Sequence, residues 1–462
     1  MTDELSVAFT AEPCPVPFQG CSQRSGGIGW AQEEAWSWIS RGVTEGRNPN
    51  YDLCFSVSVP AGTTVTDFLT AIARMVRRHE ALRTRFECVD GRLVRQWTVG
   101  SGNVDVTRYR ARAGHMPTDE LLRDRVGGEM LDVEHGSPFR AGFVATAGVV
   151  THAAFAVSRI IADAGGGDNV ILSFAAELAA VASGVAAQPV SVFQQLDQVD
   201  WEASADGLRA EREALDYWRE QLNVIRALPR PAVVDGGTMR SVLWSAESVV
   251  TAADEIARRS ATSSSGVVLT AFLLATTKTL GLDAIGCYLH CSNRADLERR
   301  ASISRLKSMV IYAYSPGGAD VQSAMRAGFR GSLTAYRHAQ SPGLQFLARL
   351  GMSPDEAPFI QFNDKRSVVP VTGPADPALS AGIEATAADP DKPVIIENQP
   401  FESHADEPML KFSVELLAGS RASAFVIETN ILDRDGIFLL MGRMQDVLAA
   451  ANTAPAAEAE RP

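Results

Sequence analysis

The chain has no uninterrupted apolar stretch of the roughly eighteen residues a membrane-spanning helix needs. Its opening, MTDELSVAFTAEPCPVPF, lacks a basic segment followed by an apolar one, so no secretory leader is expected. Cysteine is scarce, six in 462 residues (Cys14, Cys21, Cys54, Cys88, Cys287, Cys291), which predicts a reduced, cytoplasmic protein without a disulfide framework. Cys287 and Cys291 fall on one face of a strand about 13 Å apart. With no second cysteine pair, a metal site is not expected. There is no Lys/Arg block, and 43 basic against 55 acidic residues leave a formal charge of −12, which argues against nucleic acid as a partner. No GxxxxGK[ST] phosphate loop occurs either.

What is present is ordinary globular material: 46% hydrophobic and 21% charged residues, enough for two or three domains. Residues 11–29 read as an irregular lead-in rich in Pro, Gly, Ser and Cys. Leu53–Val59 alternates as a strand, Thr64–His79 reads as a helix capped by Thr64, and Asp90-Gly91 marks a hairpin between Leu82–Val89 and Arg92–Val99. Strands follow at Phe139–Thr146 and Ala153–Ile161. Then comes the Gly165-Gly166-Gly167 loop, with Asp168 as cap of an apolar helix. Residues 184–205 read as a connection.

The second half opens with an amphipathic helix over Leu208–Ile225. Helices are expected at Ala252–Ser260, Gly266–Leu280, 319–339 and 434–451. Strands are expected at Arg240–Ser245, Ala284–Cys291, Ser308–Tyr314, Pro358–Phe362, Lys411–Leu417 and Ala424–Asn430. A Pro/Asp/Ala-rich insertion spans 365–408, and 452–462 reads as a disordered tail. Trp30, Trp36, Trp38 and Trp218 read as core packing. Neither half alternates strand and helix strictly. The expected class is α+β in two lobes, 1–205 and 206–451.

Five segments stand out in order: Gly29–Trp36 (GWAQEEAW), Arg78–Phe86 (RHEALRTRF), Leu215–Leu222 (LDYWREQL), Ser292-Asn293-Arg294 and Phe362–Arg366 (FNDKR). Together they resemble motifs of nonribosomal peptide synthetase condensation domains. The resemblance implies two chloramphenicol-acetyltransferase-like lobes in a V-shaped pseudo-dimer with an inter-lobe tunnel. It also implies a carrier-protein phosphopantetheine arm as substrate tether, no directly bound cofactor, and a small-molecule amine as acceptor.

The family's HHxxxDG motif aligns with Ser158-Arg159-Ile160-Ile161-Ala162-Asp163-Ala164, in which only the aspartate matches. Joining an amine to a thioester needs a deprotonated nucleophile, a positioned carbonyl and relief of charge on the tetrahedral intermediate. Arg159 cannot be the base, because a guanidinium stays protonated and only donates, but it can stabilise an oxyanion. Candidate catalytic residues are therefore Arg159, Ser158 and His290. For His290 a plain strand histidine is the stronger alternative, and His152 and His79 read as surface and structural.

From the family, Asp163 and Arg294 are expected to pair as a structural brace, with Arg294 coming from the other lobe. Three functions stay open. One is amide formation from an acyl or aminoacyl thioester without the usual histidine. A second is a noncatalytic module recruiting a tailoring enzyme or carrier protein, since recruiting domains of glycopeptide synthetases also carry Arg at the second histidine position. The third is cyclisation or dehydration of a tethered intermediate.

Overall fold

The computed structural model describes residues 9–44, 52–112, 114–185, 192–318, 320–366, 394–400, 412–418 and 423–453. They form two compact units. The first comprises Met1–Leu208 with Ser292–Lys307, and the second Arg209–Cys291 with Ser308–Pro462. The class is α+β in two lobes. The boundary falls three residues later than the sequence suggests, and Ser292–Lys307, read as part of the second lobe, packs with the first.

In the first unit the main sheet runs Phe9–Pro13, Gly102–Ala111, Phe139–Thr146, Val149–Val157, Leu53–Ser56, with Val16–Phe18 also pairing to Gly102–Ala111. Gly102–Ala111 and Phe139–Thr146 are parallel; the other pairings are antiparallel. A small second sheet joins Ser25–Gly26, Arg92–Thr98 and Thr84–Val89. The 11–29 lead-in is thus not irregular: it supplies short edge strands whose partners lie far along the chain. Its Pro and Gly residues are tolerated there because an edge strand leaves one side unpaired. Asp90 and Gly91 both take positive φ (50° and 74°), as the tight turn between twisted strands requires.

The helix Val65–Arg78 starts at Thr64, whose hydroxyl accepts the Asp67 N–H, and it buries Phe68, Ala71, Ile72, Met75 and Val76. This apolar face meets the helix Ala164–Ala182 and the inner side of the sheet, where Phe68, Phe143, Phe155 and Phe174 pack ring to ring at 5.0–6.4 Å. A further helix, Gln195–Ala203, occupies much of what reads as a connection.

The second unit holds a seven-stranded sheet in the order Ser308–Tyr314, Ile285–Cys291, Ile360–Asp364, Phe412–Ala418, Ser423–Thr429, Thr238–Ser245, Val394–Pro400. The two pairings of Ile360–Asp364 are parallel. Ser264–Leu280 is buried along most of its length, with Glu247–Ser260, Val321–Arg337 and Arg434–Thr453 packed around it. Trp218, fully buried on the helix Ala205–Arg226, stacks edge-on against Phe346 at 5.7 Å.

Trp38, by contrast, is 39% exposed, and the half-buried Trp36 donates its indole N–H to the Gly91 carbonyl at 2.8 Å. Of the 365–408 insertion, the described part beyond Arg366 is the edge strand Val394–Pro400; the rest lies outside the described residues. The last helix runs on to Thr453, and 454–462 likewise lie outside them. No single helix among the described residues is long and apolar enough to cross a membrane.

Candidate functional site

The strand Val149–Val157 ends one residue before Ser158, so the expected strand through Ile161 stops short. The chain turns instead: the N–H groups of Ile161 and Ala162 return to the Ser158 carbonyl at 3.0 and 3.2 Å, and Ser158 N–H is held by the Pro138 carbonyl at 2.9 Å. Within 158–163 every residue is buried except Arg159. Ile160 and Ile161 anchor the turn in the core, and the guanidinium is the group it presents outward.

At the end of this turn Asp163 caps the helix Ala164–Ala182, accepting the Gly166 N–H at 2.8 Å. The expected cap, Asp168, lies within the helix, and the three glycines form its first turn. The reason is steric. A Cβ at Gly165 would stand 2.7 Å from Arg294 Nε, so the glycine leaves the space over which the Arg294 side chain lies.

Asp163 and Arg294 pair at 2.6 Å with both side chains buried. The second Asp163 oxygen accepts the Leu306 and Lys307 N–H groups at 2.9 and 2.7 Å. Arg294 also donates to the carbonyls of Arg299, Ser302 and Ser304. Burial by itself would raise the Asp163 carboxyl; Arg294 and the N–H donors outweigh it and hold the group below its ordinary value. Both partners belong to the first unit, which corrects the expectation that Arg294 comes from the second lobe.

The rest of Ser292–Lys307 is tied down in the same unit. Asn169 donates to the carbonyls of Arg300 and Ser302, Ser302 donates to the Phe193 carbonyl, and the Arg305 N–H reaches Gln195.

His290 lies in the second unit, on Ile285–Cys291, with Nε2 3.4 Å from Gln361 Oε1 on the adjacent parallel strand. Ser158, Arg159, Asp163 and Arg294 therefore gather in one unit, and His290 stands in the other. His79 is buried with Nε2 2.8 Å from the Ser173 hydroxyl, and desolvation, then Arg78, pushes it down to about 3, so it stays neutral. His152 is half-buried, with Nδ1 3.0 Å from the Thr151 hydroxyl. The six cysteines are free thiols.

Asp52, Asp168 and Glu202, none of them among the expected catalytic residues, are raised in the first unit. Asp52 immediately precedes the strand Leu53–Ser56, whose Leu53 pairs with Val157, so it stands next to Ser158. Its carboxylate accepts the Leu131 N–H at 2.6 Å; burial, opposed by that bond and by Arg140, Arg159 and Ser158, raises it to about 6. Asp168 is raised to about 7 by burial and by repulsion from Asp163. Glu202, accepting the Trp30 N–H at 3.0 Å and a Gln198 amide hydrogen, is raised to about 7 by burial. A carboxylate just before an apolar strand is a faint sequence signal, but its partner follows only from a pairing some hundred residues distant.

No family profile and no curated protein sequence matches the chain. Solved structures do. The condensation domain of the Monacolin K polyketide synthase MokA superposes with TM-score 0.65 at 14% identity, covering 94% of this chain and 98% of that one. The chain carries the condensation-domain fold. A condensation-domain structure concerned with chain release from the enacyloxin polyketide synthase matches at TM-score 0.62 and 20% identity, over 93% of this chain and 84% of that one. The X-domain in complex with OxyB, from teicoplanin biosynthesis, gives 0.61 and 17%, over 93% and 94%.

On this condensation-domain scaffold the first two sequence motifs have structural duties. Arg83 is buried and donates to the Ser22 and Val99 carbonyls, both at 2.8 Å, while the Glu80 N–H reaches Gln194. Glu202 holds the start of the helix Trp30–Thr44 through the Trp30 N–H. Among the described residues there is no group of three or more His, Cys, Asp or Glu arranged to hold a metal.

Proposed function

We propose that this condensation-fold protein joins a carrier-protein-bound acyl or aminoacyl thioester to an amine. The amine nitrogen attacks the thioester carbon and the C–S bond breaks. The sulfur leaves as the pantetheine thiol, taking up the proton that the nitrogen sheds. The observation carrying this reading is the turn 158–163: the Asp163–Arg294 pair fixes its end, its hydrophobic residues are buried, and one cation, Arg159, is turned outward.

A guanidinium at that place cannot accept the amine proton. It can offer N–H donors and positive charge to the oxygen that becomes negative in the tetrahedral intermediate, where such stabilisation is worth roughly 3–4 kcal/mol per donor. Orientation of the two reactants can supply roughly 7–11 kcal/mol more, so a route without the usual histidine is physically sufficient. An amine with a modest pKa would enter in its free-base form and need no protein base. Ser158 is retained as a support of the turn, and His290, in the other unit, as a separate candidate to be tested by its own substitution.

The likeness to an X-domain bound to OxyB keeps a recruiting role as the competing reading. The experiment is incubation with loaded carrier proteins and a panel of amines, read by mass spectrometry. Amide product that depends on Arg159 supports transfer. No product with any acceptor, together with stable complex formation with a tailoring enzyme, supports recruitment.

A further inference from the structure

We infer that the outer face of the helix Arg434–Thr453 is the contact through which two copies of this chain pair. The inference stands apart from the acyl-transfer reading and uses none of its residues.

The helix is 20 residues long and buries one side, with Leu440, Met441, Met444 and Leu448 turned into its own unit. The other side carries Arg434, Phe438, Gly442 and Asp446, which at four-residue spacing form one continuous row. Phe438 is 39% exposed, and Leu439 beside it 48%. One turn on, Gly442 does the reverse. A Cβ there would meet nothing within 4 Å, so no neighbour in the fold calls for glycine, although glycine weakens a helix interior. The missing side chain leaves a hollow next to the Phe438 ring, open outward.

This row is complementary to itself. Turned end for end, cation, ring, hollow, anion becomes anion, hollow, ring, cation. Each Phe438 ring then meets the Gly442 hollow of the other copy, and each Arg434 meets the other copy's Asp446. Helices crossing at about −50° lay such four-spaced rows parallel, the commonest way that helices pack. The contact is the same patch on both copies, so it closes as a two-fold dimer and does not propagate. Charge favours a second copy over another partner, because the two ends of the row carry opposite charges that the reversed row matches. Among the described residues neither Arg434 nor Asp446 forms an ion pair. Arg434 lies over the Phe438 ring at 5.6 Å, a contact that it exchanges for the carboxylate of the second copy on pairing.

A helix of this length spans about 30 Å, and a crossed pair covers on the order of 400 Å² on each copy, half the roughly 800 Å² of a standard interface. The dimer is therefore weak, with a dissociation constant on the order of 10–100 µM.

Sedimentation velocity on the full-length chain, from about 5 to about 500 µM, tests this. Wild type passes from monomer to dimer across that range. Phe438→Gln removes the ring and Gly442→Gln fills the hollow; each weakens association about tenfold or more, with circular dichroism and melting unchanged or improved. Arg434→Glu and Asp446→Arg each set like charges opposite one another, twice over by symmetry, and weaken it about as much. The double variant Arg434→Glu/Asp446→Arg restores opposite charges and brings the dissociation constant back to within about threefold of wild type. A wild type that stays monomeric throughout overturns the inference. So does a dimer that survives Phe438→Gln, or a double variant that pairs no better than its singles. No carrier, thioester or amine enters the experiment, so its outcome is independent of whether the acyl-transfer reading holds.

Discussion

Breaking the Asp163–Arg294 pair is the perturbation whose cost the structure specifies best. The pair is buried at 2.6 Å, and each partner is held by three further bonds. Asp163 accepts N–H groups of Gly166, Leu306 and Lys307, and Arg294 donates to three backbone carbonyls. Arg294→Ala strands a buried carboxylate and orphans those carbonyls; Asp163→Ala strands the guanidinium and strips the helix Ala164–Ala182 of its cap. Severing one side of a buried pair costs roughly 3–5 kcal/mol, and loss of a helix cap about 1 kcal/mol more. For a unit of this size each kcal/mol moves the midpoint by roughly 2–4 °C, so each variant loses on the order of 10 °C. Because the two side chains share one interaction, the double variant loses less than the sum, by roughly 1–3 kcal/mol. Scanning calorimetry on the four proteins measures this. A Tm within about 2 °C of wild type for either single variant refutes the reasoning.

Other expectations follow from the same geometry. Asp52 binds its proton more tightly folded than unfolded. Its contribution is therefore fully favourable below its ordinary value of 3.8 and is lost as pH rises through about 6. Asp52→Asn removes that penalty: the gain is at most ~3 kcal/mol at pH 7 and vanishes near pH ~4 in urea titrations. Asp163 has the opposite sign, its stabilisation present above the ordinary value and lost as pH falls below it. Gly165→Ala forces Arg294 aside and destabilises the chain, whereas a Cβ at Gly442, on Arg434–Thr453, meets nothing within 4 Å. Gly442→Ala therefore gains about 0.5–1 kcal/mol, measured in the same melts. Trp218→Ala empties a fully buried site against Phe346 and costs roughly 3–5 kcal/mol.

Features set by neighbours in the chain were legible in the sequence. Thr64 caps its helix, Asp90-Gly91 closes its hairpin, and the apolar run Ser308–Tyr314 forms a strand with the expected bounds. What depends on distant pairing was not. The short strands of 9–26 acquire their form from Gly102–Ala111 and Arg92–Thr98, and Pro and Gly content alone points to coil. Gly165–Gly167 reads as a loop because glycine is a poor helix former; Arg294 lying against the first turn explains the exception. The assignment of Ser292–Lys307 to the first unit rests on Asp163, Asn169, Phe193 and Gln195, none of which is near it in sequence. The candidate site divides the same way: the SRIIAD stretch exposes the arginine substitution at once, while Asp52 becomes visible only through the pairing of Leu53 with Val157.

The central claim is that an outward-turned cation, in place of a proton acceptor, supports acyl transfer from a carrier. Intact-mass analysis of an acyl- or aminoacyl-loaded carrier protein, incubated with amine and either wild type or Arg159→Ala, addresses it most directly. The account predicts that wild type discharges the carrier with matching appearance of amide, and that Arg159→Ala, folded and equally stable, leaves the carrier loaded. Equal discharge by both proteins would contradict it.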